Sequence, residues 1–228
     1  MEKHLDFTID FETTALTVNA AVMQVAIVPW FRDSDKKDQF INNKSTFVRY
    51  VDLRSCVVDG FDFDQNTINW WAKQSKEVKS FITAGLPEPI GSVTISIADY
   101  LHSFLNTGEV DSICIWSQGS DFDLALLRNL CHKYDIDLEG IVPHTSFRDS
   151  RTIILESALV NCEELQSFHK EGVKVITCAD LMRNPSLAYE LFEPLPEEWG
   201  KGREVHDAFY DAIRSSWYTC QALKWLCK

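Results

Sequence analysis

Hydrophobic and polar residues alternate near the start of the chain. The hydrophobic set is Leu5, Phe7, Ile9 and Phe11, and the polar set is Asp6, Thr8, Asp10 and Glu12. A repeat of two residues is typical of a β-strand with one buried face. A nearly continuous apolar run at residues 20–30 predicts a central strand beside it, and residues 45–53 alternate again as a third strand.

The middle of the chain changes from a strand pattern to a helix pattern. Residues 110–116 are typical of a buried strand, and residues 117–120 predict a polar turn around Gly119. From Asp121 onward, apolar residues recur every four positions, which predicts a helix. They are Phe122, Leu126 and Leu130.

Other helices are predicted at residues 67–74, 76–84 and 94–106, and a last one begins after Asp207, a good N-cap residue. One side of that last helix carries a stripe suited to close packing, namely Ala208, Ala212, Ser215, Thr219 and Leu223. Strands followed by alternating helices and strands predict a mixed α/β sheet. Prolines interrupt residues 152–203, which we interpret as a lid or a subunit contact.

Acidic residues occupy the positions at which these elements begin or end. Asp10 and Glu12 share one face of the first strand, where two unpaired carboxylates would repel by roughly 4 kcal/mol at 4 Å in an effective dielectric near 20. A cation between them would remove that cost. The alternative is the solvated face of an edge strand. Asp123 falls in the first turn of its helix, where the alternative is an acid that complements the helix dipole.

The last helix adds a histidine to the acidic residues. His206 comes just before the N-cap, and Asp211 lies one turn inside the helix. A helix N-terminus attracts anions, so this pair suits an anionic substrate. The alternative for His206 is an exposed neighbour of the cap.

These motifs together resemble the DEDDh group of 3'-to-5' exonucleases. The pattern is D-x-E, then F-D at a strand-to-helix turn, then H-x-A-x-x-D near the end. Three further blocks, TINWWAKQS, WSQGSDFD and FRDSRT, are similar to the branch that holds phage exonuclease A and the mycobacterial exoribonuclease RNase AS. The order and spacing of the motifs cover nearly the whole chain.

The resemblance implies a fold, an activity and a role for each motif residue. The fold would be RNase H-like, with a mixed five-stranded sheet flanked by helices on both faces. Asp10, Glu12 and Asp211 would bind one divalent cation, Asp10 would bridge to a second, and Asp123 would support the second. The ions would be Mg²⁺ or Mn²⁺, because all four ligands offer hard oxygen atoms. His206 would be the general base, and family members often dimerise, so we expect a homodimer.

Six residues near these motifs are predicted substrate contacts, namely Thr13, Trp71, Trp116, Gln118, Arg148 and Arg151. Trp70 and Trp71 offer flat surfaces for a base. The alternative is that one of two adjacent tryptophans belongs to the core. The two arginines would reach phosphates or brace Asp149.

Composition adds expectations about the setting. At 228 residues with 45% hydrophobic content, we expect one domain over residues 1–228. Seven cysteines without a C-x-x-C pair favour a reduced, cytoplasmic protein without disulfides or a zinc site. Charged residues at the N-terminus and the lack of a long apolar run predict neither a signal peptide nor a membrane span. The net charge of −12 is unusual for a nucleic-acid-binding protein, so binding should be short-range and metal-dependent.

Three functional hypotheses follow. The leading one is a metal-dependent exonuclease that releases 5'-mononucleotides from the 3' ends of single-stranded DNA or RNA. The second, in the same class, is an exoribonuclease specialised for adenosine-rich RNA tails. The third is an inactive RNase H-like module that binds nucleic acid or a partner protein.

Overall fold

A six-stranded mixed sheet forms the centre of the fold. The computed structural model describes residues 4–32, 45–106, 110–167 and 175–227. The strands are β1 (His4–Thr13), β2 (Val22–Trp30), β3 (Phe47–Val51), β4 (Pro87–Glu88), β5 (Ser112–Ser117) and β6 (Phe147–Asp149). Their order is β4-β3-β2-β1-β5-β6, in which β1 pairs antiparallel with β2 and parallel with β5. The predicted number of five was wrong, since β4 and β6 are too short to show an alternating pattern.

Eleven α-helices lie among the described residues and surround the sheet. They are α1 (Leu53–Val58), α2 (Gln65–Ala72), α3 (Lys76–Phe81), α4 (Ile90–Asn106), α5 (Ala125–Lys133), α6 (Leu138–Ile141), α7 (Ser150–Val160), α8 (Cys162–Ser167), α9 (Cys178–Arg183), α10 (Glu197–Gly200) and α11 (Ala208–Leu226). α4 and α5 bury apolar side chains against Phe7 and Ile9 on one face of β1. α7 and α11 pack on the opposite face, in a second core with Ala26 and Val28 of β2. The predicted α/β fold with helices on both faces is confirmed.

Several element boundaries differ from the sequence patterns. The third strand ends at Val51, because the Asp52 carboxylate caps α1 and accepts a hydrogen bond from the Arg54 N–H. α2 begins two residues early, since the Asp64 side chain accepts from the Thr67 N–H. α4 also begins earlier than predicted, and α3 ends three residues earlier. The N-cap role of Asp207 is confirmed.

The lid interpretation of residues 152–203 does not hold for the described part of that stretch. Ile154, Leu165, Leu181 and Leu191 are buried in the second core. Residues 152–167 and 175–203 therefore build the helical layer that supports α11, and the prolines separate its short helices. A subunit contact remains a prediction. In the same four described ranges, no helix has both the length and the apolar character needed to cross a bilayer.

Candidate active site

Two carboxylates of the site come from the end of the central strand. Asp10 and Glu12 lie on the face of β1 that α11 packs against. Pairing of β1 with β5 ends at Thr8. Three residues further on, the Phe11 N–H donates instead to Oδ1 of Asp123, over 3.2 Å. The third carboxylate is therefore fixed directly against the strand that carries the first two.

Asp123 lies in a tight turn between β5 and α5. Residues Ser120–Leu124 form a π-helical turn, whereas the sequence predicts an ordinary helix from Asp121. Gly119 begins the turn with φ of +125°, a conformation that side chains with a Cβ rarely adopt. The Asp149 carboxylate accepts the Ser120 N–H over 2.8 Å and thereby anchors the turn to the end of β6.

The N-terminus of α11 is hydrogen-bonded to the sheet through a buried carboxylate. Asp207 is fully buried, and its Oδ1 accepts a hydrogen bond from the Gln24 side-chain amide over 3.0 Å. The side-chain Oε1 of Gln24 accepts the Ala208 backbone N–H over 3.0 Å, so one side chain of β2 contacts both the cap and the first residue of the helix. Arg203 closes the network with an ion pair of 2.6 Å to Asp207. Since Gln24 is the β2 partner of Glu12, this clamp fixes α11 beside the acidic strand.

The clamp holds His206 and Asp211 in place. The backbone N–H of His206 donates to Oδ2 of Asp211 over 2.7 Å, and His206 adopts a left-handed φ of +72°. Its imidazole packs edge-on against the Trp70 ring, with centroids 4.7 Å apart. Ligand atoms of Glu12, His206 and Asp211 all lie within 4.8 Å of one another. These three of the five predicted residues thus lie at ligand distance from one another, and Asp10 and Asp123 lie close enough for their charges to act on each other and on this group.

The four carboxylates disfavour each other's ionisation. Burial raises the pKa of Asp10 well above its ordinary value, and the charges of Asp123, Glu12 and Asp211 raise it further. Burial and the charges of Asp211 and Asp123 raise the pKa of Glu12 to about 9. Burial also raises the pKa of Asp123 to about 7, although the Phe11 N–H and Arg151 oppose the shift. The Asp211 pKa is raised by burial in the same way. Ionising all four carboxylates together is therefore costly unless a bound cation neutralises their charge.

An apolar cavity of about 620 Å³ opens beside the carboxylates. Glu12, Thr13 and His206 lie on its polar side, and its flat walls are Trp70, Trp71 and Phe122. Trp71 is only 8% exposed, and its Nε1–H donates to the Thr13 carbonyl oxygen over 2.8 Å. Trp70 is 40% exposed, so it offers the larger free surface. The sequence predicted Trp71 as the substrate contact, although both tryptophans offered a flat surface. The exposures favour Trp70 instead.

The other predicted contacts are placed differently. Trp116 is only 3% exposed, and its Nε1–H donates to the buried Asp6 carboxylate over 2.7 Å, which favours a structural role. The Gln118 amide donates to the Tyr189 hydroxyl over 2.6 Å. Neither residue lines the aromatic cavity. Arg148 and Arg151 are exposed and do not line the aromatic cavity either, although Arg151 lies close enough to Asp123 to lower its pKa.

Fold and site together define an exonuclease-like protein of RNase H-like fold. The chain belongs to the family described as the 3'-5' exoribonuclease Rv2179c-like domain, which matches residues 5–222. The resemblance to DEDDh exonucleases is thereby confirmed.

Similar proteins agree with this assignment. The chain is 28% identical over 128 residues to an exodeoxyribonuclease of Enterobacteria phage T4, and the match covers 55% of each protein. Cell-death related nuclease 4 (CRN-4) has a similar fold, with a TM-score of 0.51 at 13% identity over 98% of this chain and 66% of that one. Exonuclease I of E. coli, solved with a dA16 oligonucleotide, has a TM-score of 0.52 at 14% identity over 98% of this chain and 41% of that one. The chain thus spans about half the length of the curated relative that it matches.

Proposed function

We propose that the protein is a 3'-to-5' exonuclease that hydrolyses single-stranded nucleic acid to 5'-mononucleotides. One observation carries the proposal: four carboxylates with raised pKa values converge beside a histidine and an aromatic cavity. Family membership supports the same activity. An inactive binding module would have no use for so costly a cluster, so the third functional hypothesis is disfavoured.

The carboxylates fit two divalent cations. They offer only oxygen atoms, which Mg²⁺ and Mn²⁺ prefer, and their mutual repulsion is the charge that such ions would neutralise. Asp10, Glu12 and Asp211 would hold one ion, and Asp10 with Asp123 would hold the second. When bound, such ions would stabilise the charge that develops on a phosphodiester during hydrolysis.

His206 is the proposed general base. A histidine can accept a proton at cellular pH, and the imidazole lies within 4.8 Å of Glu12 and Asp211. The Trp70 ring and the backbone hydrogen bond to Asp211 limit its orientation. It is therefore positioned to take the proton of a water that attacks the phosphate between these carboxylates.

The aromatic cavity is the proposed site of the terminal nucleotide. Stacking on a side chain such as Trp70 contributes about 1 to 3 kcal/mol per base. A cavity of about 620 Å³ that is lined by Glu12 and His206 suits a single nucleotide at a chain end better than a continuous strand.

The comparisons point in two directions on whether the substrate is RNA or DNA. The family is described as exoribonuclease, whereas the T4 relative is an exodeoxyribonuclease. RNA is therefore a substrate candidate beside single-stranded DNA, and specialisation for adenosine-rich tails stays an alternative within the same class. Digestion of matched RNA and DNA oligonucleotides, with Mn²⁺ and with EDTA, tests the proposal. Asp10→Asn is the inactive control, and nucleotide release in EDTA would refute metal dependence.

A reducing cellular compartment, a single domain and a homodimer are part of the same proposal. All seven cysteines lie among the described residues and form no disulfide there, which suits a reducing cytoplasm. One exonuclease domain over residues 1–228 and a homodimer remain predictions, and sedimentation would test the second.

A further inference from the structure

A second groove, of about 540 Å³, lies at the same edge of the sheet as the carboxylates. The strands β1, β5 and β6 run parallel, so their carboxyl ends share that edge. Ser120, Asp121 and Leu124 form one wall of the groove, and Phe147 and Arg148 of β6 form another. Nothing in the chemistry proposed above uses this groove.

Arginines are concentrated at the groove in a chain of net charge −12. Of the nine arginines of the chain, Arg128 and Arg148 line the groove, and Arg151 lies beside it against Gly119. All three are exposed. The lining also carries two carboxylates. That of Asp149 already accepts the backbone N–H groups of Ser120 and Thr152, each over 2.8 Å, and that of Asp121 lies on the wall formed by the π-helical turn.

Each arginine is held by a contact that leaves most of its donors free. The Arg128 guanidinium lies over the Phe147 ring, 4.4 Å from its centroid. Arg148 donates from one nitrogen to the carbonyl oxygens of Thr145 and Phe147. Arg151 packs against Gly119, where an added Cβ would lie 3.3 Å from its nitrogen. A guanidinium has five N–H donors, so these side chains remain able to bind phosphate oxygens.

The π-helical turn separates the groove from the aromatic cavity. Phe122 faces the cavity, whereas Asp121 and Leu124 face the groove. Asp123 lies between them, at the carboxylate cluster. A strand whose last nucleotide occupies the cavity would cross the carboxylates at its last phosphodiester and continue over this turn.

We propose that the groove binds the phosphate backbone of the nucleotides on the 5' side of the scissile bond. This inference rests on the proposed exonuclease function. Arg128 and Arg148 bind backbone phosphates, and the flat Phe147–Arg128 stack lies against the adjoining sugar and base. The groove thus allows an acidic protein to hold an acidic polymer, and it makes affinity depend on strand length.

The experiment compares wild type, Arg128→Gln, Arg148→Gln and the double variant. Arg183→Gln, at an exposed position in the last turn of α9, is the matched control. The first readout is kcat/KM on a twelve-nucleotide strand divided by kcat/KM on a dinucleotide. The second is the salt dependence of Kd for a labelled twelve-nucleotide strand in EDTA, measured by fluorescence anisotropy, which requires no turnover.

In the double variant, the ratio of kcat/KM on the twelve-nucleotide strand to kcat/KM on the dinucleotide should fall about tenfold, since two charge-assisted contacts to the longer strand are lost. The slope of log Kd against log salt should decrease by about 0.7 for each arginine removed. The control should change neither value. An unchanged ratio and slope in the double variant would overturn the groove assignment while wild-type nuclease activity persists. If wild type releases no nucleotide from any strand, the proposed function fails, and the salt slopes still test the groove.

Discussion

Replacement of Glu12 by glutamine should stabilise the metal-free protein. Glu12 has a pKa of about 9 in the fold, against an ordinary value of 4.5, because of burial and the charges of Asp211 and Asp123. The folded state therefore binds more protons than the unfolded chain between these two pH values, so stability falls as the pH rises through that window. Glutamine has the same shape and does not ionise, so it removes this penalty.

The size of the effect follows from the same shift. pH 7 lies about 2.5 units above the ordinary Glu pKa of 4.5, which corresponds to an upper limit of about 3.5 kcal/mol at roughly 1.4 kcal/mol per unit. Coupling to the neighbouring acids reduces it, so we expect about 1 to 3 kcal/mol. For a chain of this length that raises Tm by about 2 to 12 °C. At pH 5 the gain should be below about 1 kcal/mol.

Thermal unfolding of wild type and Glu12→Gln in EDTA at pH 5, 7 and 8 measures the effect. Mn²⁺ should make wild type the more stable of the two proteins, since it stabilises wild type by mass action and binds the variant less tightly. The control is Glu156→Gln on the exposed side of α7, which should stay within about 0.5 kcal/mol of wild type. If Glu12→Gln is less stable than wild type in EDTA at pH 7, the carboxylates are not under mutual repulsion.

Three further substitutions test the parts around the carboxylates. His206→Ala should lower kcat by about 10² to 10⁴ with metal binding largely intact, and near-normal kcat would exclude His206 as the general base. Trp70→Ala should raise KM by about 5- to 150-fold through lost stacking, whereas Trp70→Phe should keep KM near the wild-type value. Equal KM values in wild type and Trp70→Ala would place the terminal nucleobase elsewhere. Gln24→Leu should cost about 1 to 3 kcal/mol in urea unfolding, because Asp207 and the Ala208 N–H lose buried partners, and it should lower kcat more than it raises KM. Unchanged stability in Gln24→Leu would contradict the clamp.

The sequence predicted the site better than its surroundings. The alternation in β1 placed Asp10 and Glu12 on one face, and the capping preference of Asp207 placed His206 at a helix mouth, because both features are local. Gln24 was missed, although it interrupts a nearly continuous apolar run. Its partner Asp207 lies far away in sequence, so the spacing alone did not reveal the clamp.

Long-range packing also explains the weaker predictions. Trp116 was predicted to contact substrate because it precedes the polar turn. The structure buries it against Asp6, whose carboxylate also receives two hydrogen bonds from Arg32. A buried carboxylate needs such partners, and their identity depends on which strands pair. The π-helical turn around Asp123 likewise depends on Asp149, which β6 brings close.

The central claim is stepwise hydrolysis from a free 3' end, and a time course on 5'-labelled single strands tests it most directly. A circular single strand and a 3'-phosphorylated strand serve as controls, in DNA and in RNA. A cavity that accepts one terminal nucleotide beside the carboxylates predicts a descending ladder from the linear strand and resistance of both controls. Early internal cleavage of the circle would show an endonuclease and contradict the account.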